Sequence, residues 1–336
     1  MHTGKRYTPF EFFSWTFRDT LLLLAIAAVP TILYEVFGWH FLALPWQPIA
    51  LLGTALAFVV GFKNNASYGR IWEARQIYGS IINDSRSFAY TLRDAAGGKN
   101  SETVKTMFNR HFAWLTALRF QLRESRSWEN MKRRSNQNFL AGRYTIPEWG
   151  SKLEEELKNY LPENERNYIL FKKNRATQLI ALQSEQLAAL RREGIINDFQ
   201  WKELQNGIIK FTDDQGKAER IKNFPYPRNF ASVTTYLMFA FVLLLPFGLL
   251  KEYQKMGDGT FLEGYTIWFN VIFSGVVAWV FHVLDTIGES AVNPFEGSAN
   301  DIPITQISRM IEIDMRDMLD EKELPEPITA KNNILM

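Results

Sequence analysis

Residues 55–79 read ALAFVVGFKNNASYGRIWEARQIYG. The stretch opens as apolar as a membrane span. It then runs into Lys63, Asn64, Asn65, Arg70, Glu73 and Arg75, with no proline and no turn cluster between. The pattern predicts one helix that starts in hydrocarbon and continues in water. Upstream, Pro48 suits a first helical turn, where no amide donor is needed. Between residues 48 and 88 only isolated glycines interrupt the run. About 40 residues at 1.5 Å each give roughly 60 Å, about twice the ~30 Å of a hydrocarbon core. Such a helix has to project out of the bilayer. Its lower half carries charges on some faces and Tyr68, Trp72 and Tyr78 on others. That is the pattern of a helix packed into a helical body. No sustained heptad supports a coiled coil instead.

Working outward, four stretches can cross a bilayer, which takes about 20 apolar residues. Residues 20–34 are charge-free but short, and reach span length by running to Phe37 past Glu35. Residues 41–62, 231–250 and 264–284 carry no charge. A single central Lys, Arg or Asp would cost about 2.5–3.5 kcal/mol on insertion. The competing reading, a large soluble helical protein, has to explain LLLPFGLL at 243–250 as ordinary core. The expected fold class is all-α and integral to the membrane, with four transmembrane helices per subunit and a large cytosolic helical region. The expected division is a cytosolic amphipathic lead-in at 1–19, two spans over 20–62, a cytosolic helical domain over 63–230, two spans over 231–284, and a cytosolic segment and tail over 285–336.

Orientation comes from the loops. Residues 37–48 hold no Lys or Arg, whereas Lys63, Arg70 and Arg75 follow the second span and Arg220, Lys222 and Arg228 precede the third. The positive-inside tendency places both termini and the long middle in the cytosol. The middle reads as helices: Leu179, Leu182, Leu187 and Leu190 recur at near-helical intervals before Gly194, a candidate stop. Asp198 is a candidate cap for the next helix, which carries Phe199, Trp201, Leu204, Ile208, Ile209 and Phe211. Residues 143–150, 225–229 and 293–301 read as connectors, and 324–336 as a tail. No strand pattern persists and no internal repeat is found.

The chain of 336 residues is 46% hydrophobic and 14% aromatic, yet its mean hydropathy of −0.17 is that of a soluble protein. Averaging hides the alternation of apolar and polar segments. Net charge is +2, which gives no global attraction for nucleic acid. The absence of cysteine excludes disulfides, thiol nucleophiles and thiolate metal sites.

The residues then point to a family. GFKNNASYGRIWEARQIYGSIINDSR at 61–86 resembles the signature of the bestrophins, in their bacterial branch. ERIKNFPYP at 219–227 resembles that family's entry to its third span, and NPFEGSANDIPITQISRMIE at 293–312 its segment after the fourth. HFAWLTALRFQLR at 111–123 is a weaker echo. The order and spacing of spans match to about residue 320. One departure is Ile71, where bacterial members usually carry an aromatic. The resemblance implies a homopentameric ion channel in the cell membrane, with five copies of the second helix lining one axial pore. Partners would be further copies of the chain, the bilayer and small inorganic ions.

The family's narrow neck, carried over, falls on Thr54, Phe58 and Phe62, one turn apart. Thr54 departs from the large apolar residue usual there. The family's lower constriction falls on Ile221. Periodicity alone does not choose a pore face, because residues 50–62 are apolar all round. Rings of phenylalanine would form a hydrophobic constriction able to gate by dewetting. Ring edges turned inward would suit anions and ring faces cations. The family includes anion channels, so chloride and small anions are the expected cargo, with cation conduction or a non-conducting scaffold or receptor as alternatives. Eukaryotic relatives hold calcium in an acidic clasp after the fourth span. Here that place offers only Glu296 and Asp301, which read as a capped turn in preference to a weak calcium site. No cofactor is required.

Other constellations carry less. His2, His40, His111 and His282 are scattered, without metal-ligand spacing. His282 reads as a packed, hydrogen-bonded side chain, Glu35 as snorkelling to the outer headgroups, and Asn270 as bonding another helix. Arg70, Glu73 and Arg75 read as intrahelical or intersubunit ion pairs. The basic stretch at 123–138 reads as a solvated face. No phosphate loop, dinucleotide fingerprint or nucleophile elbow occurs, so no enzyme is expected. Two related halves with broken helices, the mark of many secondary transporters, are missing.

Overall fold

A computed structural model describes residues 1–131, 136 and 140–336. Among these there is no strand, only two isolated bridges near the chain ends. The long helices are α1 (Pro9–Glu35), α2 (Trp46–Ala95), α3 (Glu102–Arg123), α4 (Arg175–Arg192), α5 (Asp198–Asn223), α6 (Arg228–Met256), α7 (Phe269–Ala291) and α8 (Ile304–Asp317). Four stretches are long and apolar enough to cross a membrane, and they fall in α1, α2, α6 and α7. The chain divides into two compact units. One holds residues 5–69 and 226–292, the other residues 1–4, 70–225 and 293–336.

In the first unit α1, α6 and α7 pack on one another, and α2 lies against them through Ile49, Leu56 and Val60. The expected lead-in is not a separate element. Thr8 caps α1 in a capping box with Glu11, and the helix runs unbroken into the span. Its early phenylalanines, Phe10, Phe13 and Phe17, stand exposed at helical spacing and continue as Leu21. Such a stripe suits a membrane interface. Glu35 closes α1 and is exposed, as a snorkelling carboxylate requires.

Asn270 bonds other helices, as its isolation in an apolar run predicts. Its amide donates to Thr31 Oγ1 on α1 and to the Pro246 carbonyl on α6, each at 3.0 Å, while its oxygen accepts from Ser274 at 2.7 Å. One buried amide thus ties three helices in a medium with no water to replace it. His282 lies 3.3 Å from Asp19, and the Trp279 indole donates to Thr16 Oγ1 at 3.2 Å.

The second unit is built on α3, whose buried residues include Phe108, His111, Trp114, Leu118 and Leu122. α2 contributes Ala74, Ile77, Tyr78, Ile81 and Phe88 to the same core. The cap of α5 is Asn197, not Asp198, because Asn197 alone has a partner three residues on: Gln200 completes a capping box. Gly194, at φ +73°, follows the end of α4 as expected. Arg70 and Glu73 pair across helices within the chain. Arg70 donates to the carbonyls of Ile221 and Phe224, left open at the end of α5, and Glu73 meets Arg220 at 2.6 Å. The expected tail is partly buried. Ile334 and Met336 pack with Met131, Tyr144 and Ile146, and the Met336 carbonyl accepts from the Gln306 amide. Part of the basic stretch at 123–138, namely 132–135 and 137–138, lies outside the described residues.

Asn270→Ala is expected to lower the thermal stability of the purified protein by roughly 0.5–2 kcal/mol, the range of interhelical hydrogen bonds in membranes. A calorimetric or fluorescence melt unchanged by the substitution would show that the knot does not hold the three helices.

Candidate functional site

The neck positions named by the sequence lie on one face of α2. Thr54 is exposed, Phe58 is 65% exposed and Phe62 is 72% exposed, so all three turn out of the subunit. The opposite face is buried: Gly53, Leu56, Val60 and Lys63 turn inward. Thr54 does not offer a free hydroxyl donor. Its Oγ1 donates to the Ala50 carbonyl at 3.0 Å, within its own helix. The position is therefore less polar than its side-chain type suggests. Thr54 and Phe58 also edge an apolar groove of about 680 Å³ with Ile49, Phe241, Leu245 and Phe281.

Ile221 lies elsewhere. Its side chain is 4% exposed and packs into the core of its own subunit. The cause is the amphipathic pattern of α5, in which Leu204, Ile208, Phe211, Ala218 and Ile221 share the inward face. Within the single chain, the Ile221 side chain expected at the lower constriction is directed into the core.

Glu296 and Asp301 occupy the 293–301 loop and have partners of the protein's own. Asp301 Oδ2 accepts from Arg123 Nη1 and from the Gly297 amide, each at 2.7 Å. Its Oδ1 accepts from the amides of Phe295 and Ile302 at 2.9 and 2.7 Å. These bonds close the turn that carries Phe295 at φ +70°. Arg123 is fully buried and also faces Glu148, whose Oε1 accepts from Arg119 at 2.6 Å and from Thr305 at 2.6 Å. Burial alone would raise the Glu148 carboxyl, but Arg123 and Arg119 overcome it and hold it below its ordinary value. Sequence reading missed Arg123, Arg119 and Glu148 as a set, because each looks like an ordinary helix charge.

Glu296 is different. It is buried, and its Oε2 accepts from the Asn130 amide at 3.0 Å. Burial pushes its carboxyl up to about 8, and neighbouring Asp301 and Glu129 add to the rise against Lys222. Lys222 is itself ion-paired to Glu129. Among the described residues no group of three His, Asp or Glu side chains gathers in a metal-binding arrangement. The loop's chemistry fits a calcium clasp poorly, since the Asp301 oxygens are already taken by four donors.

Comparison with known proteins decides the family. The description Bacterial/Fungal Bestrophin protein matches residues 13–317, nearly the whole chain. The chain belongs to the bacterial and fungal bestrophin family. The voltage-dependent anion channel-forming protein YneE of Salmonella typhi is 27% identical over 304 residues, covering 90% of this chain and 86% of the relative. Its counterpart in Escherichia coli K12 is 26% identical, covering 84% and 79%. The voltage-dependent anion channel-forming protein RSc3414 of Ralstonia nicotianae is 27% identical, covering 86% and 82%. A solved bacterial bestrophin homolog from Klebsiella pneumoniae shares the fold with a TM-score of 0.73 at 22% identity, covering 90% of this chain and 98% of that one. The bestrophin resemblance and the all-helical membrane fold expected from sequence therefore hold.

Glu296 makes stability depend on pH. The unfolded chain loses this proton near 4.5 and the folded chain near 8, so across that window the folded state binds the extra proton. Stability then falls as pH rises, by up to roughly 1.4 kcal/mol per pH unit. Glu296→Gln, which keeps an acceptor for Asn130, is expected to flatten this slope and to raise the melting temperature at pH 8. Parallel pH profiles for the two proteins would refute the assignment.

Proposed function

We propose that this protein is a bestrophin-like channel of the cell membrane that passes chloride and other small anions, assembled as a homopentamer around α2. The observation that carries the reading is the outward stripe of Thr54, Phe58 and Phe62. Large apolar side chains that a subunit turns away from its own core need another occupant, and in a spanning helix that occupant is lipid, a second subunit or a pore. Five such stripes around an axis would give stacked rings of phenylalanine, a hydrophobic neck that wets and dewets. The anion-channel names of the curated relatives support chloride as the cargo. Phenyl edges pointing to the axis would supply the weakly positive lining that anions favour.

Both termini and the second unit are placed on the cytosolic side, following the arginine and lysine bias of the loops. The 293–301 loop serves as a structural turn. Arg123 supplies within the protein the positive charge that a cation would bring to Asp301. The channel on this reading requires no cofactor.

Two outcomes test this. Purified protein in a planar bilayer under asymmetric NaCl is expected to reverse near the chloride potential, and Phe58→Ala is expected to raise conductance about threefold or more by widening the neck. Reversal at the sodium potential would replace anion by cation selectivity, and an unchanged conductance would remove Phe58 from the neck. Separately, current is expected to stay flat when calcium is raised from chelated levels to about 100 µM, well above the affinity of sensor-type sites. A steep micromolar response would restore the calcium clasp.

A further inference from the structure

Residues 50–62 of α2 are apolar on every side, so burial of apolar surface gives the helix no preferred rotation. Yet it has one: Leu56 and Val60 face in while Phe58 and Phe62 face out. Within the apolar run one steric preference exists: Gly53 faces Phe241, where a Cβ would come within 2.7 Å. The first charged residue, which adds an electrostatic preference to that steric one, is the next after the run, Lys63.

Lys63 is 3% exposed. Its Nζ lies 2.7 Å from Asp285 Oδ1 and 3.7 Å from Glu289 Oε1. The two carboxylates stand four residues apart on α7 and so share one face. Beside them Asn64 donates from Nδ2 to the Leu284 carbonyl at 3.0 Å. This contact is close because Gly288 lies under it. A Cβ at Gly288 would come 2.0 Å from Asn64 Oδ1. Ion pair, amide bond and glycine notch all join the same two helix segments, residues 63–64 and 284–289.

We propose that the Lys63–Asp285–Glu289 cluster is the positioning element that sets the rotation of α2, and thereby turns Thr54, Phe58 and Phe62 out of the subunit. The assignment of those three to a pore rests on the reading above; the rotational lock does not. Turning α2 by one residue, about 100°, exchanges one apolar side chain for another over the span, except at Gly53, which packs closely on Phe241. The same turn pulls Lys63 off both carboxylates and leaves three charges unpaired next to a hydrocarbon core, where desolvation is most costly. Lys63 thus breaks a degeneracy that hydrophobicity leaves open. Buried ionic groups are best attested in this registry role.

The chain has no cysteine, so single introduced thiols can report rotation. In purified full-length protein in detergent, Phe62→Cys is expected to react with a small maleimide about tenfold or more faster than Val60→Cys, since one position is exposed and the other closed. In the Lys63→Met/Asp285→Asn/Glu289→Gln background the two rates are expected to converge to within about twofold. In the Lys63→Asp/Asp285→Lys exchange the difference is expected to return. A rate difference that persists in the neutral triple variant overturns the proposal, as does equal reactivity in the parent. If the neutral variant fails to stay monodisperse, the exchange variant decides alone. It has to remain monodisperse and keep the rate difference, and losing either overturns the lock. Block of the Phe62→Cys current by a charged thiol reagent in liposomes tests the pore separately. An unblocked current with an intact rate difference sinks the pore reading and leaves the lock standing.

Discussion

A helix that is apolar on every side is held in a bilayer by its length and by nothing that fixes its rotation. That constraint governs this protein, because the helix in question, α2, is also the one whose exposed face defines the site. Lipid tails are as apolar as leucine, so no hydrophobic gradient across the span distinguishes Phe58 from Val60. Orientation has to come from the ends of the span or from polar side chains along it. In α2 the polar contacts lie at the end of the span where Lys63 and Asn64 meet α7.

The same economy of polar contacts recurs in the rest of the span unit. Asn270 fixes α1, α6 and α7 through three hydrogen bonds, and Pro246, which breaks the α6 ladder, lends the carbonyl that receives one of them. Two polar knots, one within the bundle and one at an end of the α2 span, accompany the apolar core. The Asn270 knot is satisfied internally, as the bilayer demands, whereas in the other Asn64 Oδ1 is buried without a hydrogen-bond partner among the described residues. The second unit works differently. Its core is large and aromatic, with His111, Trp114, Phe88 and Phe211 in mutual ring contact, and its charges are recruited to hold the 293–301 loop.

How much of this was legible in the sequence depended on whether the signal was local. The spans, the continuous α2 and the interhelical role of Asn270 were legible, because charge-free runs and a lone amide within one are visible in a short window. The Asn197 cap was available too, since Gln200 three residues later completes the box, but Asp198 next door offered the same chemistry. The Lys63–Asp285 pair was not legible, since 222 residues separate the partners. Nor was the burial of Ile334 and Met336, which sit in a segment with no periodicity and are held by loops far along the chain. Ile221 shows a third case. The motif around it is local, but which side of an amphipathic helix meets the core depends on where the neighbouring helices lie.

Arg123 shows why a resemblance transfers a fold more safely than a site. The loop at 293–301 carries only two carboxylates, Glu296 and Asp301. Asp301 has two oxygens and four donors, three of them backbone amides of its own loop and the fourth a fully buried guanidinium. A divalent cation at Asp301 would have to displace Arg123, which would leave that guanidinium in the core facing Glu148 alone, 3.8 Å from its Nε. A buried charge stripped of its partner costs several kcal/mol. The closed turn is thus held by a cation covalently part of the chain.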